Sequence, residues 1–319
     1  MAGQVAVDGT GPEEEEATPE EYFPLLSELL ANPELLEPPA PVIPRLAWRG
    51  RTTGLIAPDK SGKSTLGGHA VAALTRPVKF LDGRPDRGTA VVAAPDEAVG
   101  DTVRRLHEVG ADPARVRVLR TQPPSLLAGL NDLLGAHPAD LVVVDSLAEW
   151  ARLTMGTAPE DGDSSGWGAV VRPLVQLSRD HECAVLLLHH PRRSDGQYRG
   201  SGEIAAALDC LLEMTMPQSG ENPTLRRIRG RARWPVEDFA IELREHAFVL
   251  TTGGEVPLET RVLMDTRANP GTSRTAQYKR LGGRKQAHVT AVNRLLDQEF
   301  LYDRNGKLFV PSDVEEDLV

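Results

Sequence analysis

Cysteine, aromatic residues and long apolar runs are all scarce in this chain of 319 residues. Its only cysteines, Cys183 and Cys210, lie in apolar stretches, which excludes a disulfide-stapled secreted domain and a zinc site built on cysteine. No apolar run approaches the ~20 residues of a membrane helix, and the amino terminus lacks the basic-then-apolar pattern of a secretory leader. We therefore expect a cytoplasmic protein with reduced thiols that does not bind a membrane.

Basic residues are absent from the first 44 positions, where ten acidic residues equal the net charge of −10. The chain from Arg45 onward is therefore neutral overall. An acidic stretch without positive charge is typical of a solvated, disordered segment, and we predict disorder for residues 1–17. Residues 18–44 predict a short helix over 18–37, with Thr18 as its N-cap, and then a stiff proline-rich linker.

Short apolar runs alternate with helical stretches from residue 52 onward. Five runs are apolar on both faces, as in a buried parallel sheet, and they are 52–57, 89–94, 116–119, 141–145 and 184–190. The stretches between them predict helices at 63–75, 97–109, 124–136 and 165–180. After residue 210, an antiparallel extension of one sheet edge is indicated by the runs CLLEM, TLRRIRGRA, FAIEL and AFVLT. This order predicts an α/β fold with a mostly parallel sheet over residues 45–254.

A different pattern begins near residue 255. Helical stretches at 258–268, 274–281 and 284–298 precede the turn Asn305-Gly306, which is a strong signal for a hairpin. Three helices followed by a hairpin are the order of a small winged-helix domain, which we predict for residues 255–311. Nine basic and four acidic side chains lie in 265–310, so this domain is basic, and residues 312–319 form a second acidic tail.

The most specific motif follows the first buried strand. Residues 57–64, APDKSGKS, match the phosphate-binding loop G-x-x-x-x-G-K-[ST] except at the first position, where Ala57 replaces glycine. Backbone N–H groups of such a loop and of the helix after it surround the phosphates of a nucleotide. We therefore predict that ATP is held by Pro58, Asp59, Lys60, Ser61, Gly62, Lys63, Ser64 and Thr65.

Three residues have specific roles in the predicted nucleotide site. Lys63 is expected to contact the β- and γ-phosphates, and Ser64 is expected to bind Mg²⁺. Asp145 ends the apolar run LVVVD and is the second metal-site candidate, because a carboxylate at the end of a core strand can hold the water shell of the metal. Together these residues predict a site for ATP with Mg²⁺.

Three more motifs give the chain a resemblance to a known group of proteins. They are Ala94-Pro95-Asp96-Glu97 followed by Arg104-Arg105-Leu106, Leu188-His189-His190-Pro191-Arg192-Arg193, and Arg199-Gly200-Ser201-Gly202-Glu203 running to Ala207-Leu208-Asp209. With the phosphate loop, the ordered set resembles RecA-like ATPases of the RepA-type replicative helicases, often described as AAA family ATPases of mobile elements. The resemblance covers about Arg45 to Leu250. It implies a RecA-like P-loop core, ATP hydrolysis and action on nucleic acid.

The resemblance also implies candidate catalytic residues. The family's water-polarising glutamate matches Asp96, which is one methylene shorter, so either Asp96 or its neighbour Glu97 is the base; both also suit the cap of the following helix. His190 matches a sensor of nucleotide state, although a purely structural strand-end histidine fits the pattern too. Arg229 and Arg231 match a basic pair that completes the site of an adjacent subunit, which implies a homo-oligomeric ring, expected to be a hexamer.

Several basic residues are candidates for contact with nucleic acid. One of them, Arg199, is also a second candidate for the arginine that acts on an adjacent subunit. For Arg229 and Arg231, the alternative interpretation is that they lie on a basic strand face exposed to solvent and have no catalytic role. The glycine-rich loops 152–166 and 191–203 match loops that face the channel of RecA-like rings, although acidic residues in the first loop do not suit DNA. The phosphate-contact candidates are Arg192, Arg193, Arg199, Arg280, Arg284, Lys285, Arg304 and Lys307.

These patterns leave two principal functions open. The first is an ATP-driven helicase or remodelling motor on nucleic acid, with a replication or recombination protein as partner. The second is a slow, nucleotide-gated DNA-binding or regulatory ATPase; a recombination-mediator or signalling role is a third. The departures at Ala57 and Asp96 favour the second function, whereas Lys63, His190 and the paired arginines favour the first. The winged-helix domain suits DNA binding or protein contacts alike.

Overall fold

The computed structural model describes residues 22–160, 163–190, 202–217, 222–244, 247–251, 258–282 and 285–311. The chain divides into two compact units, the first ending at Pro38 and the second beginning at Pro39. The predicted tails 1–17 and 312–319 lie outside the described residues, and the predicted boundary at 254–255 falls in the gap 252–257.

The first unit contains a short helix, α1 (Leu26–Leu29), and a 3-10 turn over Pro33–Leu36. The predicted helix over 18–37 is therefore wrong in its extent. Pro33 has no N–H to donate to a preceding turn of helix. Asn32 is extended, and its side chain accepts a hydrogen bond from the N–H of Glu34 at 3.1 Å. This cap starts the separate 3-10 turn, so the chain cannot continue as one helix.

A small hairpin opens the second unit, formed by β1 (Pro41–Ile43) and β2 (Ala47–Trp48). The predicted stiff linker therefore does not extend to residue 44. Ile43, Leu46 and Trp48 are buried in the core, and Arg45 has a φ of 63° in the turn. Proline has a low propensity for strands. Burial of these apolar side chains outweighs that propensity, so the stretch forms a hairpin.

A nine-stranded sheet forms the centre of the second unit. In chain order its strands are β3 (Thr52–Ile56), β4 (Ala90–Ala93), β5 (Val116–Val118), β6 (Leu141–Asp145), β7 (Ala184–His189), β8 (Cys210–Thr215), β9 (Leu225–Ala232), β10 (Phe239–Arg244) and β11 (Ala247–Thr251). Their spatial order is β11-β10-β9-β8-β3-β7-β6-β4-β5. The strands from β8 to β5 in this order are parallel, which confirms the predicted α/β fold.

Helices lie on both faces of this sheet. They are α2 (Lys63–Thr75), α3 (Val99–Glu108), α4 (Leu126–Ala136), α5 (Leu147–Met155), α6 (Ser164–Asp180) and α7 (Gly202–Ala207). The predicted helices correspond to α2, α3, α4 and α6, whereas α5 and α7 are new. Because α5 and the start of α6 occupy both ends of the predicted loop 152–166, that loop is shorter than expected and begins at Gly156.

The parallel part of the sheet extends one strand further than the sequence predicts. The run CLLEM forms β8, which pairs in parallel with β3 and antiparallel with β9. The antiparallel extension therefore begins at β9, which corrects the prediction. Parallel neighbours need a crossover connection, and α7 lies in the connection that leads to β8.

The core around the nine-stranded sheet consists of one buried cluster on each of its faces. Alternate side chains of a strand point to opposite faces, and β6 shows the division, since Leu141 and Val143 lie in the first cluster and Val142 and Val144 in the second. The first cluster packs against α2, and the second against α4, α5 and α6. Strands with two buried faces need apolar residues throughout, which is why the sequence pattern identified them.

The carboxy-terminal elements are three helices and a three-stranded antiparallel sheet. They are α8 (Leu258–Ala268), β12 (Thr272–Ser273), α9 (Arg274–Leu281), α10 (Lys285–Asp297), β13 (Tyr302–Arg304) and β14 (Lys307–Phe309). Asn305 and Gly306 have φ values of 57° and 76°, as a tight hairpin turn requires. The predicted helices and hairpin are present, β12 is an addition, and the winged-helix assignment stays a prediction.

No helix within the described ranges is both long enough and apolar enough to cross a membrane.

Candidate functional site

The predicted phosphate loop leads from β3 into α2, and its Gly62 is the N-cap of the helix. Gly62 has a φ of 96°, a left-handed conformation that glycine adopts without a Cβ clash. The first N–H groups of a helix have no partner within it and carry partial positive charge. The loop and the 13-residue helix α2 therefore present an anion-binding end to a ligand.

Ala57, the residue that departs from the loop motif, does not need the freedom of glycine. It is buried, and it is not among the described residues with positive φ. Its N–H donates to the carbonyl oxygen of His189 on the neighbouring strand β7 at 3.2 Å. This conformation is open to any small residue, so the substitution leaves the path of the loop intact.

Lys63 is the buried cation of the loop, with 3% of its surface exposed. Its Nζ donates to the carbonyl oxygens of Ala57 and Pro58 at 2.8 and 2.9 Å and lies 2.9 Å from Nδ1 of His190. Burial lowers the pKa of Lys63 to about 8, partly opposed by the negative charges of Asp59 and Asp145. The ammonium group is thus held inside the loop on carbonyl groups that a phosphate oxygen can replace.

The hydroxyl groups before and after Gly62 differ in their surroundings. Ser61 is 1% exposed, and its Oγ has no hydrogen-bond partner among the described residues. An unpaired buried hydroxyl is costly, and a phosphate oxygen would satisfy it. Ser64 and Thr65 are half-buried in the first turn of α2, where the loop motif places the metal ligand and its neighbour.

Asp145 stands at the carboxyl end of β6, with 13% of its side chain exposed. Its charge raises the pKa of Lys63, so it lies within electrostatic reach of the loop. A hydroxyl from Ser64 and a carboxylate from Asp145 are the oxygen donors that Mg²⁺ accepts in phosphate sites. The donor set therefore fits Mg²⁺ together with a nucleotide phosphate.

The two neighbouring acids after β4 have different surroundings. Glu97 forms an ion pair with Arg105 at 2.5 Å and accepts a hydrogen bond from Oγ1 of Thr102 at 2.6 Å. Burial alone would raise the pKa of Glu97, but these hydrogen bonds bring it below its usual value. Arg105 also reaches Asp145 at 3.9 Å. The carboxylate of Glu97 is therefore held by two side chains of α3, and one of them, Arg105, links it to the predicted metal site.

Asp96 is exposed, and its Oδ2 lies 3.5 Å from Oγ of Ser146. Its pKa is raised, first by loss of hydration and then by the negative charges of Asp145, Glu149 and Glu97, although its own backbone N–H opposes this. Asp96 is thus a carboxylic acid next to the predicted metal site. Among the described contacts, it forms no ion pair. Between the two candidates, the geometry favours Asp96 as the residue that meets water.

The two histidines at the end of β7 also differ. His189 is 5% exposed, its ring packs edge-on against Trp167, and burial lowers its pKa to about 4. This histidine is a neutral core residue. His190 is half-buried, and its Nδ1 contacts both Nζ of Lys63 and Oδ1 of Asp59. His190 therefore touches two residues of the phosphate loop, the position that a sensor of bound phosphate requires.

Arg226 is a site residue that the sequence analysis did not single out. From β9 its Nε donates to the carbonyl oxygen of Ser61 at 2.7 Å, and its Nη1 donates to the carbonyl oxygens of Pro223 and Leu225. Burial lowers the pKa of Arg226. Strand alternation places it on the same face as Ile228, and that alternation in TLRRIRGRA was a usable signal.

Arg229 and Arg231 lie on the opposite face of β9 from Arg226, because side chains alternate along a strand. Both are exposed. Arg231 reaches Oε2 of Glu213 at 3.8 Å, and Arg229 lies across from the same glutamate in the β8–β9 pairing. Neither has a described contact with the phosphate loop of its own chain, and that separation is what a trans-acting pair requires.

The predicted nucleic-acid contacts are only partly described. Lys285, Arg304 and Lys307 are exposed, and the last two pair across the hairpin. Arg280 binds both carboxylate oxygens of Asp265 at 2.8 and 2.7 Å, so its charge is already balanced. Outside the described residues lie Arg192, Arg193, Arg199 and Arg284.

Comparisons with known proteins agree with this fold. The family AAA_25, described as an AAA domain, matches residues 16–196. A KaiC-like protein of the hyperthermophilic archaeon Pyrococcus horikoshii OT3 has a similar structure, with a TM-score of 0.52 and 13% sequence identity over 67% of this chain and 100% of that one. A search of curated proteins finds no match. The structural likeness shows a RecA-like fold, and because the family match covers more than half of the sequence, the chain belongs to the AAA_25 family of AAA domains.

Proposed function

We propose that this protein binds and hydrolyses ATP and uses the cycle as a RecA-like motor on nucleic acid, in the manner of the RepA-type helicases that its motifs resemble. The observation that carries the proposal is the convergence of Lys63, Asp145 and Asp96 at the carboxyl ends of β3, β6 and β4. In parallel sheets, ligands bind at this edge. A buried cation, a metal-binding carboxylate and an unpaired acid are the groups that phosphoryl transfer to water uses.

The residues fit ATP and Mg²⁺. The unpaired Oγ of Ser61 and the N–H groups at the start of α2 would hold the phosphates, and Nζ of Lys63 would exchange carbonyl oxygens for phosphate oxygens. Ser64 and Asp145 would hold Mg²⁺, which neutralises phosphate charge when bound.

Asp96 is proposed as the base that orients the attacking water. It is exposed beside Asp145, whereas Glu97 is held by Arg105 and Thr102. Single-turnover hydrolysis of bound ATP tests the assignment, because it separates the chemical step from binding. Asp96→Asn should slow that step by about 10²-fold or more, and Glu97→Gln serves as the matched control. A larger loss from Glu97→Gln than from Asp96→Asn would move the role to Glu97.

A neighbouring subunit is proposed to complete the site with Arg229 and Arg231. Their support is exposure on the face of β9 opposite to Arg226, together with the family's basic pair. Arg231→Ala should leave ATP binding intact and reduce hydrolysis by about 10³-fold. Arg244→Ala is the control, since Arg244 is also an exposed strand arginine with a glutamate partner. Unchanged turnover in Arg231→Ala would move the role to Arg229 or Arg199. The ring, expected to be a hexamer, stays a proposal.

Nucleic-acid binding is proposed for the carboxy-terminal elements as a winged-helix domain. Support comes from the order of α8, α9, α10 and the hairpin, and from exposed Lys285, Arg304 and Lys307. In such a domain a helix enters the major groove, and the hairpin contacts the backbone. Contact with a replication or recombination protein is the other use of the same surface.

Steady-state ATP hydrolysis, measured with and without single-stranded DNA over a range of protein concentrations, tests the motor. Stimulation by DNA that rises cooperatively with protein concentration is expected, and Lys63→Ala should lose it. Tight ATP binding with negligible turnover under every condition would instead favour the second function, a nucleotide-gated switch. The shorter Asp96 is the observation that favours that alternative.

A further inference from the structure

The phosphate loop contains an acidic side chain at a place where an anion is predicted to bind. Asp59 is the third residue of the loop, and 60% of its side chain is exposed. A carboxylate and a phosphate repel each other, so only the backbone N–H of Asp59 is able to help hold a phosphate. The carboxylate of Asp59 therefore opposes phosphate binding unless it moves away.

Asp59 contacts a histidine that also contacts the buried cation of the loop. Oδ1 of Asp59 lies within hydrogen-bond distance of Nδ1 of His190, and the same nitrogen lies 2.9 Å from Nζ of Lys63. The negative charge of Asp59 also acts on Lys63, because it opposes the effect of burial on the pKa of that lysine. The carboxylate of Asp59 thus shares its neighbours with the phosphates that the loop motif assigns to Lys63.

One ring nitrogen cannot form both of these hydrogen bonds at the same time. A carboxylate only accepts hydrogen bonds, and an ammonium group only donates them. Nδ1 of His190 must carry a proton to donate to Asp59, whereas it must present a lone pair to accept from Lys63. His190 therefore has two alternative partners in the loop, and the proton on Nδ1 distinguishes them.

The two partners of this histidine contact differ in how firmly they are held. Ile56 pairs with His189 in the β3–β7 register, and the N–H of Ala57 donates to the carbonyl oxygen of His189 at 3.2 Å, so the backbone next to His190 is fixed by the sheet. Nζ of Lys63 is fixed by two carbonyl oxygens of the loop. Asp59 lies in a turn with an exposed side chain, and a rotation of that side chain is enough to break its contact with His190.

We propose that Asp59 is an internal competitor of the nucleotide phosphates. Without nucleotide its carboxylate holds His190, and when the phosphates bind it leaves, so that His190 is released to Lys63 and the ligand. The inference rests on the proposed binding of ATP and adds a regulatory residue to that site. It predicts that the affinity for ATP is lower than the loop alone would give, and that the release of His190 depends on a bound phosphate.

Asp59→Asn tests the competition, because it removes the charge and keeps the shape of the side chain. Equilibrium titration with Mg²⁺ and a non-hydrolysable ATP analogue should show binding about tenfold tighter than in the wild type, the effect expected of one nearby unit charge at a partly exposed site. Since salt screens exposed charges, the gain should shrink between about 0.05 and 0.5 M NaCl. Asp132→Asn is the matched control, because Asp132 is an exposed acid on α4, and it should bind like the wild type.

The contact with His190 is tested without nucleotide by ¹⁵N NMR of the histidine rings, which distinguishes a protonated ring nitrogen from an unprotonated one. His190→Gln identifies the signal of His190 by its loss. At about pH 8, above the pKa of an unperturbed histidine, Nδ1 should be protonated in the wild type. It should be unprotonated in Asp59→Ala, where Lys63 is the remaining partner. Asp59 is not among the described residues with positive φ, so alanine fits its backbone. A purely structural role of Asp59 in the turn would not move this proton.

The outcomes separate this inference from the proposed function. ATP affinity that is equal or weaker in Asp59→Asn, or a gain that Asp132→Asn shares, would overturn the inference alone. An unprotonated Nδ1 in the wild type, or the same protonation in Asp59→Ala, would overturn it as well. Absence of binding from both the wild type and Asp59→Asn would overturn the proposed function, and the competition with it.

Discussion

Replacement of Lys63 by methionine should remove ATP binding at little cost in stability, and it should change how stability depends on pH. Lys63 is 3% exposed, and burial lowers its pKa from 10.5 to about 8. That drop corresponds to about 3 kcal/mol of disfavour for the charged form in the folded protein. Methionine removes this penalty but loses hydrogen bonds to the carbonyl oxygens of Ala57 and Pro58 and the contact with His190. Three such bonds are worth about 3 kcal/mol together, so the two effects nearly cancel at pH 7.

The pH dependence has a definite sign. Below pH 8, Lys63 is charged in both the folded and unfolded states, and the wild type bears the full burial penalty. Between pH 8 and 10.5 it is neutral when folded and still charged when unfolded, so unfolding takes up a proton and stability rises with pH. From pH 7 to 9.5 the wild type should gain about 2 kcal/mol relative to Lys63→Met. For a unit of this size that corresponds to about 4–8 °C in the midpoint of thermal unfolding.

Urea unfolding at pH 7 and pH 9.5, without nucleotide, measures this difference. Lys79→Met is the control for the loss of a lysine, because Lys79 is exposed. If the difference in the free energy of unfolding between Lys63→Met and the wild type is the same at both pH values, the conclusion that Lys63 is buried as a charged group is refuted. A large loss of stability in Lys63→Met at pH 7 would show that the loop depends on the ammonium for its fold.

Three further predictions concern residues around the site and the basic domain. Ala57→Gly should leave ATP affinity unchanged and lower the free energy of unfolding by about 0.5–1 kcal/mol, as measured by nucleotide titration and urea unfolding; tighter ATP binding would contradict the ordinary backbone of Ala57. Arg226→Gln should raise the KM for ATP about tenfold with a smaller change in kcat, because it loses the hydrogen bond to the carbonyl oxygen of Ser61. A fall in kcat alone would contradict a role of Arg226 in shaping the phosphate loop. Arg280→Ala should destabilise the carboxy-terminal elements by about 1 kcal/mol through loss of its bidentate pair with Asp265,, and unchanged thermal unfolding would show that the pair contributes nothing.

The sequence predicts the centre of the fold well because two periodicities are clear there. Strands such as β6 and β7 are buried on both faces and are apolar throughout, and α2, α4 and α6 have clear boundaries in the sequence. Ser125 caps α4 by accepting a hydrogen bond from the N–H of Ala128. Local chemistry and tertiary packing agree in these elements, so local reasoning is sufficient.

The elements that the sequence analysis missed are short or depend on distant contacts. β1 and β2 lie in a proline-rich stretch and form because their apolar side chains complete a core cluster. The direction of β8 depends on α7, a helix of six residues. The signal for α5 was available, because Ser146 precedes Glu149 by three residues and caps the helix, but the glycines further along favoured a loop. Two- and three-residue strands such as β12 have no periodicity to detect.

The candidate site also has one part that the sequence predicts and another part that depends on distant contacts. The phosphate loop is one continuous motif and is recognisable without a fold. Arg226 reaches Ser61 from a strand more than 160 positions later, and Arg105 joins Glu97 to Asp145 from a helix. Such contacts are set by the register of β9 and the docking of α3, which the pattern of residues does not specify.

The two departures from the family pattern have unequal consequences for function. Ala57 occupies a backbone conformation that does not need glycine, so it gives no reason to expect weak nucleotide binding. Asp96 is different, because Glu97 is tied to Arg105 and is not free to replace it, and because loss of hydration and neighbouring negative charge raise the pKa of Asp96. A base acts only when ionised, so the raised pKa moves the acid limb of the rate profile toward higher pH. The choice between a fast motor and a slow switch therefore depends on how closely the shorter carboxylate of Asp96 approaches the water, and not on the phosphate loop.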